Sequence, residues 1–117
     1  MKLQGRGKLL KIYIGESDKW HGESLFNAIV KLAKKEGLAG VTVYRGIEGF
    51  GASSRLHTSK ILRLSEDLPI ILEIIDTEEK INNILGKLDE MINEGLIVLQ
   101  DVDVIKYTSK EKEKKEV

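Results

Sequence analysis

The chain contains no cysteine, and only one of its 117 residues is proline. Without cysteine it has no disulfide bond, no thiol nucleophile and no thiolate ligand for a metal ion. Neither sign of charge is in excess, because 19 basic side chains balance 19 acidic ones. A balanced chain has no overall field that would attract nucleic acid or an anionic membrane surface. We therefore predict no nucleic-acid partner.

Long hydrophobic runs are also missing. No stretch approaches the ~20 apolar residues that a transmembrane helix needs, and residues 1–5 lack the apolar core of a signal peptide. We expect a cytoplasmic protein without direct membrane insertion. Residues 1–108 are expected to form a single domain, followed by a charged, disordered tail over residues 109–117.

Hydrophobic periodicity predicts the elements of the first half. Alternation predicts a strand over residues 8–14, and an apolar stripe at helical spacing predicts a helix from Glu23. Gly37 is placed to cap the end of that helix. A second strand is predicted from about Val41.

The second half repeats this order. A nearly continuous apolar run predicts a strand over residues 70–75, and Asp76 or Thr77 is expected to cap the next helix. Gly95 closes that helix, and residues 96–107 alternate as a fourth strand.

The predicted order βαββαβ is that of an α+β, ferredoxin-like sandwich, with two helices on one face of an antiparallel sheet. Each helix has only one apolar stripe, which favours two layers. The strand over residues 70–75 is apolar on both sides, so we predict that another subunit covers the helix-free face of the sheet.

Three glycines follow the second strand directly: Gly46, Gly49 and Gly51. Glycine allows a ligand to lie close to main-chain N–H groups, which can bind phosphate. The nearby basic side chains could clamp a phosphate or carboxylate; they are Arg45, Arg55, Lys60 and Arg63. Alternatively, the glycines only permit a bulge and a mobile hairpin tip, and the basic side chains are solvated.

A polar turn, Ser65-Glu66-Asp67, precedes Pro69. Its side chains could line a cleft between subunits and bind hydroxyl or amine groups of a ligand. The alternative is a structural turn in which Asp67 accepts hydrogen bonds from backbone N–H groups.

These segments together resemble a PII-like family of unassigned function, small proteins related to the PII nitrogen-signalling proteins. The resemblance is carried by residues 20–22, 37–51, 54, 57–58 and 61–70. It implies a ferredoxin-like protomer that forms a homotrimer. It also implies that a nucleotide or other small effector binds in the clefts between subunits, beside a responsive loop at residues 47–60.

The same resemblance suggests an adenine nucleotide as a candidate ligand, and a membrane transporter or an enzyme as the regulated target. The chain departs from true PII proteins after the second helix. Glu94-Gly95 stand there, where PII proteins have a phosphate-binding run of lysine and arginine.

We predict a trimeric regulatory protein that is not an enzyme and binds a small anionic effector. The predicted ligand-binding residues are Arg45, Gly46, Gly49, Gly51, Arg63, Ser65, Glu66 and Asp67.

Three alternatives remain open. A phosphate-ester hydrolase could use His57, Glu66 and Asp67, although an activated nucleophile with an oriented base is lacking. Copies of His57 around a three-fold axis could bind a metal ion. An RNA-binding sheet would need several aromatic side chains on its central strands, and the chain has only three tyrosines.

Overall fold

The computed structural model describes residues 5–50 and 67–108. Gly51, His57, Arg63, Ser65 and Glu66 lie outside these ranges, as do residues 51–60 of the predicted loop and the predicted tail. The elements are β1 (Gly5–Gly15), β2 (Lys19–Trp20), β3 (Glu23–Ser24), α1 (Leu25–Lys35), β4 (Thr42–Arg45), β5 (Pro69–Asp76), α2 (Glu78–Met91) and β6 (Leu96–Val104).

Four strands form one sheet in the order β4-β5-β1-β6, with every neighbouring pair antiparallel. The register of β1 with β5 runs from Lys8 opposite Asp76 to Gly15 opposite Pro69. This architecture confirms the predicted ferredoxin-like fold. The fourth predicted strand is shorter than expected, because β6 ends at Val104.

The core lies between the two helices and one face of the sheet. The strands contribute every second residue and the helices one face each, as their periods require. The central side chains are Leu10, Ile12, Ile14, Ile29, Leu72, Ile74, Ile81, Ile84 and Leu88, all at most 5% exposed. Burying one such side chain stabilises the fold by roughly 1.5–3 kcal/mol. This layer therefore fixes the positions of the strands whose ends form the site described below.

Helix α1 ends at the predicted glycine. The N–H of Leu38 donates to the carbonyl of Ala33 over 3.0 Å, and the N–H of Gly37 donates to the carbonyl of Lys34 over 3.2 Å. With Gly37 at φ +76°, these bonds form a Schellman motif.

Thr77 caps the start of helix α2, and its hydroxyl oxygen accepts the N–H of Lys80 over 3.3 Å. Asp76, the other predicted cap, is instead fully buried. One carboxylate oxygen accepts the N–H of Ala39 over 2.8 Å, and the other accepts the N–H of Thr77 over 2.7 Å. The hydroxyl of Tyr107 donates to the carbonyl of Ala39. These bonds tie the loop after α1 to the end of β5.

Candidate functional site

A pocket of about 640 Å³ lies at one end of the sheet, where β1 and β4 end and β5 and β6 begin. Small-molecule sites commonly occupy about 300–1,000 Å³. The pocket is therefore large enough for a ligand of nucleotide size. Asp76 and its partners lie at the opposite end of the same strands.

The apolar walls of the pocket come largely from the helix-free face. Tyr13 lies opposite both Ile71 and Leu96 in the sheet, and directly opposed residues of antiparallel strands point to the same face. These three side chains line the pocket together with Phe50 and Pro69. The cavity thus reaches the face that the helices leave uncovered.

Gly46 and Gly49, two of the predicted ligand-binding residues, both line the pocket. A Cβ atom on Gly46 would lie 2.9 Å from Cγ of Pro69, and one on Gly49 would lie 3.3 Å from the same atom. The N–H of Gly46 donates to the carbonyl of Pro69 over 2.8 Å. Close packing on Pro69 therefore explains the glycine at position 46, and its amide is already engaged.

Asp67, also predicted as a ligand-binding residue, lines the pocket beside the end of β1. Its carboxylate accepts the N–H of Ser17 over 2.8 Å, and Asp18 accepts the N–H of Gly15 over 3.0 Å. A Cβ atom on Gly15 would lie only 2.7 Å from both carboxylate oxygens of Asp67. Asp67 therefore has the structural role that the turn alternative predicts, and it also faces the pocket.

The described lining of the pocket is acidic. Its charged members are Asp18, Glu48, Asp67 and Glu94. Among the lining residues within the described ranges there is no lysine, arginine or histidine. A negatively charged group placed against this wall would be repelled.

Arg45, the predicted anion clamp, lies next to the pocket without lining it. Its Nη2 atom is 2.6 Å from Oε2 of Glu16, and its side chain is 57% exposed. The guanidinium therefore joins the end of β4 to the turn after β1. Its contact with a ligand stays a prediction.

Sequence reasoning did not assign Asp18, Glu48, Glu94 or Gly95 to the ligand site, although all of them line the pocket. For Glu94 and Gly95 a signal existed, because they stand where the PII proteins that the sequence resembles have a phosphate-binding run. A Cβ atom on Gly95 would lie 2.8 Å from the carbonyl oxygen of Tyr13. For Asp18 and Glu48 no local pattern points to the pocket, since they come from separate segments.

The lone tryptophan lies outside the pocket lining. Trp20 packs against the core from the β2–β3 hairpin, and its ring stacks on His21 with centroids 4.1 Å apart. His21 and Gly22 both have positive φ, as a two-residue type I′ hairpin turn requires. The packing favours a structural role for Trp20.

Two kinds of feature are absent from the described residues. They contain no group of three or more His, Cys, Asp or Glu side chains that could hold a metal ion. In the same part of the chain, no helix combines the length and apolar character needed to cross a membrane.

Comparison with known sequences identifies relatives along most of the chain. Residues 7–104 match the family model DUF190, described as an uncharacterized ACR. UPF0166 protein MJ1524 of Methanocaldococcus jannaschii is 47% identical over 102 residues, 86% of this chain and 94% of that protein. A UPF0166 protein of Aquifex aeolicus is 40% identical over 98 residues, 84% of this chain and 92% of that protein.

Two solved structures share the fold. TTHA0516 of Thermus thermophilus, a candidate PII-like signaling protein, has a TM-score of 0.61 and 25% identity, covering 88% of this chain and 93% of its own. CPII of Thiomonas intermedia, solved with ADP and bicarbonate, has a TM-score of 0.56 and 19% identity, covering 85% and 88%. The chain therefore belongs to the DUF190 (UPF0166) family and is structurally similar to PII-like signalling proteins, which confirms the resemblance drawn from its sequence.

Proposed function

We propose that this protein is a PII-like regulatory protein that binds a small anionic effector, with an adenine nucleotide as the first candidate. The observation that carries this proposal is the pocket of about 640 Å³ at the sheet end, bounded by the glycine-containing segment after β4. Binding of ADP and bicarbonate by the structurally similar Thiomonas protein supports the choice of ligand.

The proposed ligand contacts combine described and undescribed residues. Gly46, Gly49 and Asp67 line the pocket, and Arg45 stands beside it. Segment 47–60 is the proposed responsive element, and the contacts proposed from residues outside the described ranges are Gly51, Arg63, Ser65 and Glu66. A ligand changes the balance between two states of such a segment only if it binds one of them more tightly. The regulated target would be a transporter or an enzyme.

We further propose that three copies pack through the helix-free face. That face exposes apolar side chains to water: Ile75 is 40% exposed, Leu96 55% and Val98 37%. Burial against another copy would remove this unfavourable exposure. Glu73 lies among them and accepts the Tyr44 hydroxyl over 2.6 Å, a bond that raises the pKa of Tyr44. Because the pocket reaches this face, a neighbouring copy would help to close it.

Ligand binding can be tested by thermal unfolding of the full chain with AMP, ADP and ATP at millimolar concentration. A ligand present at a concentration of about 100 times its Kd stabilises a protein by about 2.7 kcal/mol. A true ligand should therefore raise Tm clearly. Phe50→Ala should reduce the shift, because Phe50 lines the pocket. Ile105→Ala is the control, since Ile105 is 79% exposed and lies outside both the lining and segment 47–60. The absence of any shift would refute nucleotide binding.

The assembly can be tested with two adjacent residues of β6. Val98 pairs with Lys11 on the helix-free face, whereas Leu99 pairs with the buried Leu10 on the helix side. Their exposures are similar, 37% and 41%. Val98→Lys should convert the trimer to monomer in sedimentation velocity, and Leu99→Lys should not. A monomeric wild-type protein would refute the proposed trimer.

A further inference from the structure

The charge of the pocket wall points to a narrower ligand class. We propose that the pocket selects effectors with little negative charge, a nucleoside monophosphate over a triphosphate, and that Glu48 and Glu94 set this selectivity. The inference rests on the proposed function, because it concerns the same pocket. It assigns the wall a preference that the predicted basic clamp would not give.

The first argument is the wall itself. Four carboxylates line the pocket, and the described part of the lining contains no cationic side chain to offset them. Asp18 and Asp67 each accept one backbone N–H, so part of their charge is compensated. Glu48 and Glu94 are exposed at the wall. Among the described lining residues, they are therefore the carboxylates whose charge is compensated least.

The second argument concerns hydrogen-bond donors. A phosphate is commonly held by consecutive main-chain N–H groups. Here the N–H groups of Gly15, Ser17 and Gly46 donate to Asp18, Asp67 and the Pro69 carbonyl, respectively. These three N–H groups are thus engaged within the protein, and they are offered to no anion.

The third argument concerns what the wall can accept. Carboxylate oxygens accept hydrogen bonds from amine or ring N–H groups of a ligand. Tyr13, Ile71 and Leu96 supply an apolar surface beside them, suited to a flat ring. A planar ligand with N–H donors fits both surfaces. Each additional phosphate charge adds repulsion from the carboxylates, and this repulsion weakens as salt screens it.

Calorimetric titration of the full chain with AMP and with ATP, in buffer containing a chelator, tests the inference. At low salt we expect AMP to bind about tenfold more tightly than ATP. The Glu48→Gln/Glu94→Gln double variant should raise ATP affinity by about tenfold and change AMP affinity less. Glu79→Gln is the matched control, because Glu79 is an exposed carboxylate at the start of α2, at the opposite end of the sheet. It should leave both affinities unchanged.

Salt dependence gives an independent readout. If the wall repels phosphate, ATP affinity for the wild-type protein rises between low salt and about 0.15 M salt, where the Debye length is about 8 Å. Tighter binding of ATP than of AMP, with an affinity that falls as salt is added, would overturn the inference. So would an AMP-to-ATP ratio that is unchanged in the double variant. Failure of both nucleotides to bind any variant is a different result, because it refutes the proposed function itself.

Discussion

The two ends of the sheet place an aspartate in opposite environments. At one end Asp76 is completely buried, and both of its carboxylate oxygens accept backbone N–H groups. At the other end Asp67 accepts one N–H and remains exposed in the pocket wall. A buried carboxylate that satisfies two donors stabilises the fold, whereas an exposed one keeps acceptor capacity for a ligand. The comparison separates a closed, structural end from an open, ligand-facing end.

The rest of each end agrees with this division. Beyond Asp76, Lys80 donates to the carbonyl of Gly37 over 3.0 Å, and Tyr107 donates to that of Ala39 over 2.8 Å. The loop after α1 is thus held from three directions. At the pocket end, contacts join the turn after β1 to Asp67 and to the end of β4, and the end of β4 to the start of β5. The pocket between these segments stays open.

The largest expected effect comes from removing the buried carboxylate. Asp76→Ala leaves two partly buried N–H groups without their acceptor. A fully buried group left unpaired costs about 1–3 kcal/mol, so for these two we expect a loss of about 2–5 kcal/mol in the free energy of unfolding, measured in urea. Asp89→Ala on the exposed face of α2 is the control and should change it by less than about 0.5 kcal/mol. A loss as small as that of the control would show that water can replace the Asp76 carboxylate.

The second prediction concerns the open end. Gly15→Ala places a Cβ atom 2.7 Å from the Asp67 carboxylate, which must move away and give up its bond to Ser17, at a cost of about 0.5–1.5 kcal/mol. Asp67→Ala alone loses one partly exposed hydrogen bond, about 0.5–1.5 kcal/mol. Because the alanine at position 67 also removes the clash, Gly15→Ala should cost little in the Asp67→Ala background.

A double-mutant cycle measured by urea unfolding gives this coupling directly. Gly40→Ala is the control for the glycine change itself, since a Cβ atom there would meet nothing within 4 Å. It should be neutral or slightly stabilising. Additive effects of the Gly15 and Asp67 changes would contradict the contact between them.

The sequence predicted those features that depend on local period. The core stripes of both helices, the strand at residues 70–75 and the cap at Gly37 could be identified because each is encoded within a few residues. The β2–β3 hairpin was missed, since strands of two residues are too short to show alternation. Asp76 was assigned to a helix cap because its actual partner, Ala39, lies 37 residues away in the chain.

The candidate site was only partly predictable for the same reason. Gly46, Gly49 and Asp67 were identified from turn chemistry, and all three line one pocket. Sequence reasoning, however, grouped charges by proximity along the chain, and of the basic side chains it grouped only Arg45 lies within the described ranges. The described pocket wall also takes Asp18 from the turn after β1 and Glu94 from the connection before β6. Only the strand order brings such distant carboxylates together.

The smallest expected effect lies at the closed end, on its solvent side. Lys8 donates to Asp101 over 2.6 Å, and this bond lowers the pKa of Asp101 and raises that of Lys8. A lowered carboxylate pKa stabilises the fold above its unfolded value, and that contribution is lost as the pH falls through the folded pKa. A raised lysine pKa stabilises it below the unfolded value, and that contribution is lost as the pH rises through the folded pKa. The pair should therefore stabilise the fold from about pH 4 to about pH 10.

Carboxyl NMR titration measures this interaction. In Lys8→Met, the Asp101 pKa should return towards its ordinary value. Lys87→Met is the control, because it removes only the exposed pair with Glu36 and should leave the Asp101 pKa unchanged. An unshifted Asp101 pKa in the wild-type protein would show that this exposed ion pair, unlike the buried Asp76 contacts, is not maintained in water.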